Sequence, residues 1–279
     1  MDRERLKRIR NFQSQDAYPA LVIRPLTILV MLVIADWNFL TPNRLTTIAN
    51  LCKLAAAWLI LQPDQIVLSI VMLNLGILFD HLDGTVARYR RTFTKLGSFY
   101  DKVSDIITWP IIVMAAGWQA MRETGEPFML VLAASSLFAL CIRGYMKWLY
   151  QAETERLRWF EAKADPAGTI AKKTAPIVIA PPPVRTAKEW VAWFGKRVAM
   201  IFAFEEMDLW FWISLALAIH HLDWFMWFLG LTQVPLALVV AVTRHVWMID
   251  VDRKLAAFEA ARDAQAASPG AGSAASSAG

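Results

Sequence analysis

The sequence predicts an all-α integral membrane protein in which six transmembrane helices follow a juxtamembrane amphipathic helix. Hydrophobic residues make up 57% of the 279 residues and charged residues only 19%, whereas soluble domains carry about 45–50% and about 25%. Thirteen Trp and fifteen Phe agree with this class, because aromatic residues collect where helices cross the lipid–water boundary. A soluble core would not produce several separate apolar runs of about 18 residues or more.

The first segment, residues 1–40, is predicted to lie on the membrane surface. It begins with the basic stretch MDRERLKRIR, which no apolar core and cleavage site follow, so it does not resemble a secretory signal. Residues 19–38 are apolar but are interrupted by Arg24-Pro25 and by Asp36. We interpret this stretch as an interfacial helix, and a seventh span is the alternative that the sequence leaves open.

Six firmer apolar runs follow, four of them within residues 41–150 and two within residues 206–250. They lie at about 44–62, 65–88, 98–119, 127–149, 207–221 and 224–246. Most of them have the length that is needed to cross a hydrocarbon core of about 30 Å.

Basic residues gather in alternate connections between these runs. The link after the second run holds Arg88, Arg90, Arg91 and Lys95, whereas the short links on the opposite side contain a single basic residue, Arg122. Positive residues stay on the cytoplasmic side of a membrane. Both termini and the first of these links are therefore predicted to face the cytoplasm, in a bacterial inner membrane.

Two further segments are predicted to lie outside the membrane. Residues 151–205 form a cytoplasmic insertion with a charged helical start, a Pro-rich middle (TAPIVIAPPPV) and an amphipathic end (EWVAWFGKRVAMIFAF). The end mixes aromatic and basic residues, as interfacial helices do. Residues 251–279 are predicted to be a cytoplasmic and largely disordered tail, because their last part, QAASPGAGSAASSAG, is low in complexity.

Four aspartates stand at the cytoplasmic ends of the second and third runs. Asp80 and Asp83 are three residues apart, and Asp101 and Asp105 are four apart, so each pair shares one helix face. A short turn between antiparallel helices would bring the pairs opposite each other. Carboxylates in a span are costly and usually functional; either some are protonated or cations lie among them. Oxygen ligands favour Mg²⁺ or Mn²⁺.

The neighbours of these aspartates indicate a site for a phosphate compound. Gly84 lies one turn after Asp80, and Gly97 lies one turn before Asp101, so helices or a ligand can approach closely there. Paired metals among carboxylates suit an in-line attack at phosphorus. Structural salt bridges between the helices are the alternative, and they would need more cations on that face than Arg88 supplies.

The motif Asp80-x2-Asp83-Gly84-x2-Ala87-Arg88-x8-Gly97-x3-Asp101-x3-Asp105 resembles the signature of the CDP-alcohol phosphotransferases at all eight positions. Thr41-Pro42-Asn43-Arg44-Leu45-Thr46 resembles that family's Pro-Asn-x-x-Thr start. Thr94 occupies a position where the family often has Ser or Thr near the diphosphate. The resemblance covers about residues 24–246 and is specific over 41–105. It implies transfer of a phosphatidyl or other phospho-alcohol group from a CDP-linked donor to an acceptor hydroxyl, with release of CMP.

The resemblance also implies a role for each motif residue. Asp80 and Asp101 would bridge two Mg²⁺ or Mn²⁺ ions, with Asp83 completing the first site and Asp105 the second. Asp105 would also take the proton of the acceptor hydroxyl. The donor would be held by Asn43, Arg44, Leu45, Thr46, Gly84, Arg88 and Thr94. A homodimer with a cytoplasm-facing active-site cavity in each protomer is implied too, with membrane lipids and no nucleic acid as partners.

The identity of the acceptor alcohol is left open. A phosphorylated acceptor would need basic residues, and Arg143 and Arg244, near the cytoplasmic ends of the fourth and sixth runs, are the candidates. The alternative for both is that they extend to lipid headgroups. A family member with a non-lipid CDP-alcohol donor or an unusual acceptor is an alternative function. A cation transporter with a carboxylate site is another, although such transporters usually have repeated halves and no repeat is visible.

Overall fold

The structure, a computed structural model, describes residues 9, 22–164, 186–201 and 208–266. The regular elements in these ranges are helices, without a strand among them, so the all-α prediction is confirmed. A 3₁₀ turn, Pro63–Gln65, lies between the second and third helices. The α-helices are α1 Arg24–Ile34, α2 Pro42–Ile60, α3 Ile66–Arg90, α4 Lys95–Thr124, α5 Phe128–Ala164, α6 Ala187–Ile201, α7 Asp208–Ala218 and α8 Leu222–Ala266.

Three of the described helices are long and apolar enough to cross a membrane. They are α3, the Phe128–Ala162 part of α5 and the Leu222–Ala260 part of α8, and they are compatible with an integral membrane protein. The predicted run 207–221 corresponds to α7, which has 11 residues and therefore a length of about 16 Å. That is shorter than a hydrocarbon core of about 30 Å. The count of six spans stays a prediction.

The membrane-surface segments are described only in part. Helix α1 forms within the predicted stretch 19–38, but residues 10–21 lie outside the described ranges, so the choice between interface and span stays a prediction. The charged start of the predicted insertion, up to Ala164, continues α5 without a break. Helix α6 forms where the amphipathic end is predicted. The Pro-rich middle lies outside the described residues.

Residues 251–266, predicted to belong to a largely disordered tail, are helical, because α8 continues to Ala266. Val251 and Leu255 are buried against Leu157. Lys254 Nζ lies 2.6 Å from Asp250 Oδ2, one turn away, and such pairs stabilise helices. An apolar stripe and an i,i+4 ion pair therefore keep this segment helical. Residues 267–279 lie outside the described part of the chain.

The described chain forms two compact units. The first comprises the described residues within Met1–Leu137 and Pro183–Leu231, and the second comprises those within Phe138–Pro182 and Thr232–Gly279. In the first unit, α3 and α4 each pack along α2 more extensively than on each other. The sequence predicts that the two aspartate-bearing helices face each other directly. Instead, α2 is the helix that both of them share.

Arg90, in the last turn of α3, fixes the segment between α1 and α2. Its guanidinium donates hydrogen bonds to the carbonyl oxygens of Ala35 (3.1 Å), Trp37 (2.9 Å) and Leu40 (2.8 Å). Helix α3 then closes at Arg91, whose φ of 57° lies in the left-handed region. Because α2 begins directly after this segment, Arg90 also sets the position of the first motif of the sequence, Thr41 to Thr46; the second motif is Asp80 to Asp105.

Gly117 allows α4 and α5 to approach each other closely. A Cβ atom added at Gly117 would lie 2.5 Å from the Cβ of Ala133. No real side chain tolerates that separation, so either the helices or the new methyl group would have to move. Gly144, in contrast, is helical and has no such neighbour within 4 Å.

The two glycines give a matched pair of substitutions with opposite expected effects. Gly117→Ala should lower the free energy of unfolding by about 1–3 kcal/mol, because the added methyl group overpacks the helix contact. Gly144→Ala should be neutral or raise it by up to about 1 kcal/mol, because alanine favours the helix. Thermal unfolding in the same detergent compares them, and equal shifts for the two variants would contradict the close packing at Gly117.

Candidate active site

Three of the four predicted aspartates converge in the first unit. One carboxylate oxygen from each of Asp80, Asp101 and Asp105 lies within 4.8 Å of the others. Asp80 comes from α3 and is buried, whereas Asp101 and Asp105 occupy successive turns of α4 and are half-buried. Converging carboxylate oxygens are the ligands that Mg²⁺ and Mn²⁺ prefer. The side chains present therefore fit a divalent cation.

A lysine that is absent from the predicted site lies among these carboxylates. Lys53 Nζ, from α2, is 2.9 Å from Asp80 Oδ1 and 2.6 Å from Asp105 Oδ1, and its side chain is only 1% exposed. The expectation that the aspartates lack a cation other than Arg88 is therefore wrong. The sequence does carry a signal for Lys53, because it is a single lysine inside an apolar run. An ionisable residue within a span is a candidate functional residue by default.

Asp83 lies outside this set of three and has its own partner. Thr46 Oγ1 donates a hydrogen bond to Asp83 Oδ2, and both residues are buried. Thr46 is the threonine of the predicted donor-binding stretch. The hydroxyl therefore orients an aspartate of the second motif, in addition to any contact with a ligand.

A cavity of about 560 Å³ opens beside Asp83 and Asp101, a volume typical of small-molecule sites. Four of the predicted donor-binding residues line it, namely Asn43, Thr46, Gly84 and Thr94. Both motifs of the sequence thus contribute to a single cavity wall, which also carries two of the predicted metal ligands.

The other three predicted donor-binding residues do not line this cavity. Arg44 Nη1 donates a hydrogen bond to the Phe39 carbonyl at 2.6 Å. The Leu45 side chain is fully buried in an apolar cluster. Arg88 Nη2 lies 3.3 Å from Thr85 Oγ1 of its own helix. A role for these three in donor binding stays a prediction, and the Leu45 side chain serves the core.

Several lining residues were not predicted from the sequence. Helical spacing could have identified Arg90, because Asp83, Ala87 and Arg90 follow each other at intervals of four and three and so share one face. The residues after α3 have no such periodic signal. The additional lining residues are Asn38, Arg90, Thr92, Phe93 and Ser98.

The start of α4 explains why glycine is found at position 97. Thr94 is the N-cap of α4, and its hydroxyl accepts a hydrogen bond of 3.0 Å from the Gly97 amide. A Cβ atom at Gly97 would lie 3.0 Å from Thr94 Oγ1 and 3.2 Å from Asn43 Oδ1. Glycine therefore lets the Asn43 side chain reach the capped end of α4, which joins the two motifs.

Comparison with known proteins decides between the enzyme and the transporter that the carboxylates alone allow. A family model described as CDP-alcohol phosphatidyltransferase matches residues 39–202, which is more than half of the chain. The chain belongs to the CDP-alcohol phosphatidyltransferase family. A phosphatidylinositol phosphate synthase from Corynebacterium glutamicum is 32% identical over 94 residues, which are 34% of this chain and 43% of that relative. The match thus spans less than half of the relative's length.

The second unit contains the two arginines that are predicted to bind the acceptor in this family member. Arg143 Nη1 donates a hydrogen bond to the buried side-chain oxygen of Gln233. The Arg244 guanidinium lies 4.5 Å from the ring centre of Tyr150 and 4.8 Å from that of Trp247. Stacking of this kind holds a guanidinium in place while its N–H groups stay available at the edge. Acceptor binding by either arginine stays a prediction.

The contact between Thr46 and Asp83 gives a testable prediction for the family's first motif. Thr46→Val should lower the free energy of unfolding by about 1–3 kcal/mol, because a buried carboxylate loses its donor. Thr46→Ser retains the hydroxyl and should recover most of that loss. Thermal unfolding of both variants in detergent measures the effect, and an equal loss for serine would assign the effect to the missing methyl group instead.

Proposed function

We propose that this family member transfers a phosphatidyl group from a CDP-linked lipid to the hydroxyl of an alcohol and releases CMP, in phospholipid biosynthesis. The observation that carries the proposal is the convergence of Asp80, Asp101 and Asp105 beside the cavity lined by both motifs. A non-lipid CDP-alcohol donor is the alternative. Measuring the release of CMP from a lipid donor and from a non-lipid donor distinguishes the two functions.

We propose that the transfer requires Mg²⁺ or Mn²⁺, because the converging carboxylate oxygens are ligands that these ions prefer. Asp80, Asp101 and Asp105 would hold the metal and Asp83 would complete the set; the family resemblance implies two ions. Bound divalent ions would stabilise the negative charge that develops on the diphosphate and on the departing CMP.

We assign the role of general base to Asp105, as the family resemblance implies. Its side chain is 21% exposed, against 6% for Asp80, so a hydroxyl can reach it more readily. Its Oδ1 is the oxygen that Lys53 contacts and that a divalent ion would also use, so Oδ2 would be left for the acceptor hydroxyl. As the acceptor oxygen bonds to phosphorus, the bond from phosphorus to the CMP oxygen breaks, and the hydroxyl proton passes to Asp105.

We further propose that the acceptor carries a phosphate group. The related protein from C. glutamicum is named a phosphatidylinositol phosphate synthase, a name that fits a phosphorylated alcohol as substrate. Arg143 and Arg244 would bind that phosphate, because guanidinium groups form paired hydrogen bonds with phosphate oxygens.

We also propose that the protein lies in a bacterial inner membrane with its aspartates on the cytoplasmic side. CDP compounds and phosphorylated alcohols are dissolved in the cytoplasm and would reach the site from there. A homodimer is proposed on the family resemblance alone.

Asp105→Asn should abolish transfer while the protein is still produced and folded. The amide cannot take the hydroxyl proton, and loss of a general base lowers rates by about 10²–10⁴-fold. Release of CMP from CDP-diacylglycerol in the presence of Mg²⁺ measures the effect. Asp64→Asn, in the exposed turn before α3, is the control and should keep full activity. Wild-type turnover of the Asp105→Asn variant would remove Asp105 from the role of base.

Arg143→Ala and Arg244→Ala should each raise the apparent KM for a phosphorylated acceptor by about tenfold or more, because a charge-assisted contact is lost. The KM for CDP-diacylglycerol should stay unchanged. Inositol phosphate, glycerol phosphate and unphosphorylated inositol are compared as acceptors. Arg253→Ala, an exposed arginine of the same unit, is the control. An unchanged acceptor KM in both variants would contradict the phosphate pocket.

A further inference from the structure

The Lys53 side chain lies in a narrow slot between the helices of the first unit. Its stem passes Gly76 of α3, where an added Cβ would lie only 2.9 Å from Lys53 Cγ. Its ammonium lies 6.0 Å from the ring centre of Trp210, a residue that is itself 2% exposed. Position 76 has no side chain to fill this space, so the lysine can lie fully buried with its charge directed at the carboxylates.

The ammonium takes up oxygens that a divalent ion would also use. It contacts Oδ1 of Asp80 and Oδ1 of Asp105, and both aspartates belong to the set of three whose oxygens converge. An ion bound between these two residues would lie close to the ammonium, and like charges within a few ångströms repel each other strongly in a buried site. Burial keeps water from screening that repulsion.

We propose that Lys53 is an internal cation that competes with a divalent ion for Asp80 and Asp105 and so makes the two metal positions of the site unequal. The position that depends on Asp80 and Asp105 together is the weaker of the two. Lys53 thereby holds the carboxylates in place when that ion is absent, and it sets the ion concentration at which the position fills. This inference rests on the metal requirement of the proposed function.

The test is a titration of the purified full chain in detergent with Mn²⁺ alone, in which electron paramagnetic resonance measures the free ion. Lys53→Met removes the ammonium and keeps an unbranched apolar stem in the slot. The weaker Mn²⁺ position should tighten by about tenfold or more, or appear as an additional bound ion. Lys53→Gln is also neutral but retains a donor for one carboxylate, and it should change binding in the same direction.

Lys102→Met is the matched control. Lys102 follows Asp101 on α4 but is exposed, so its removal changes the net charge equally without removing the buried competitor. It should leave Mn²⁺ binding nearly unchanged. A comparable tightening in Lys102→Met would show a general charge effect and would overturn the assignment to Lys53.

The remaining outcomes each decide the proposal. Equal Mn²⁺ affinity and stoichiometry in wild type and Lys53→Met overturns it and leaves the proposed function standing. The absence of Mn²⁺ binding in every variant overturns it together with the proposed metal requirement. If both Lys53 variants fold only when Mn²⁺ is present, the ion replaces the ammonium and the competition is supported. If neither folds under either condition, Lys53 is a purely structural ion-pair partner and the proposal is wrong.

Discussion

The contact of one buried ammonium with two carboxylates is the interaction on which the arrangement of the first unit depends. A charge removed from water is tolerated only when an opposite charge or a set of hydrogen bonds compensates it. Lys53 on α2 compensates Asp80 on α3 and Asp105 on α4, so the electrostatic requirement and the packing coincide. The same lysine therefore links α2 to both aspartate-bearing helices.

The two sequence motifs contact each other in the folded protein, although most of α2 and most of α3 separate them in the chain. Thr46 of the first motif bonds Asp83 of the second, and Asn43 reaches the glycine at the start of α4. Each motif therefore fixes a side chain of the other. The cavity wall forms only when α2, α3 and the start of α4 are assembled together, which explains why residues distant in sequence share one functional signature.

Much of the helix order and of the aspartate cluster could be predicted, because apolar runs and i,i+3 or i,i+4 spacing are local properties of the sequence. What could not be predicted depends on tertiary contacts. Lys53 stands alone in its run, and periodicity does not tell which helix will lie against it. The helix of residues 251–266 is stabilised by burial against Leu157, a residue far away in the chain. The low complexity of the last residues carries no signal for that contact.

Arg90 has a consequence for how this architecture can change during evolution. Its four acceptors are backbone carbonyls, which every amino acid supplies, so the guanidinium recognises the path of the chain and not its side chains. The contact with Arg90 by itself therefore places no demand on the side chains at the acceptor positions. In a set of related sequences, such an arginine would be invariant without any covarying partner. Methods that infer contacts from paired changes would overlook the connection between α1 and the cavity.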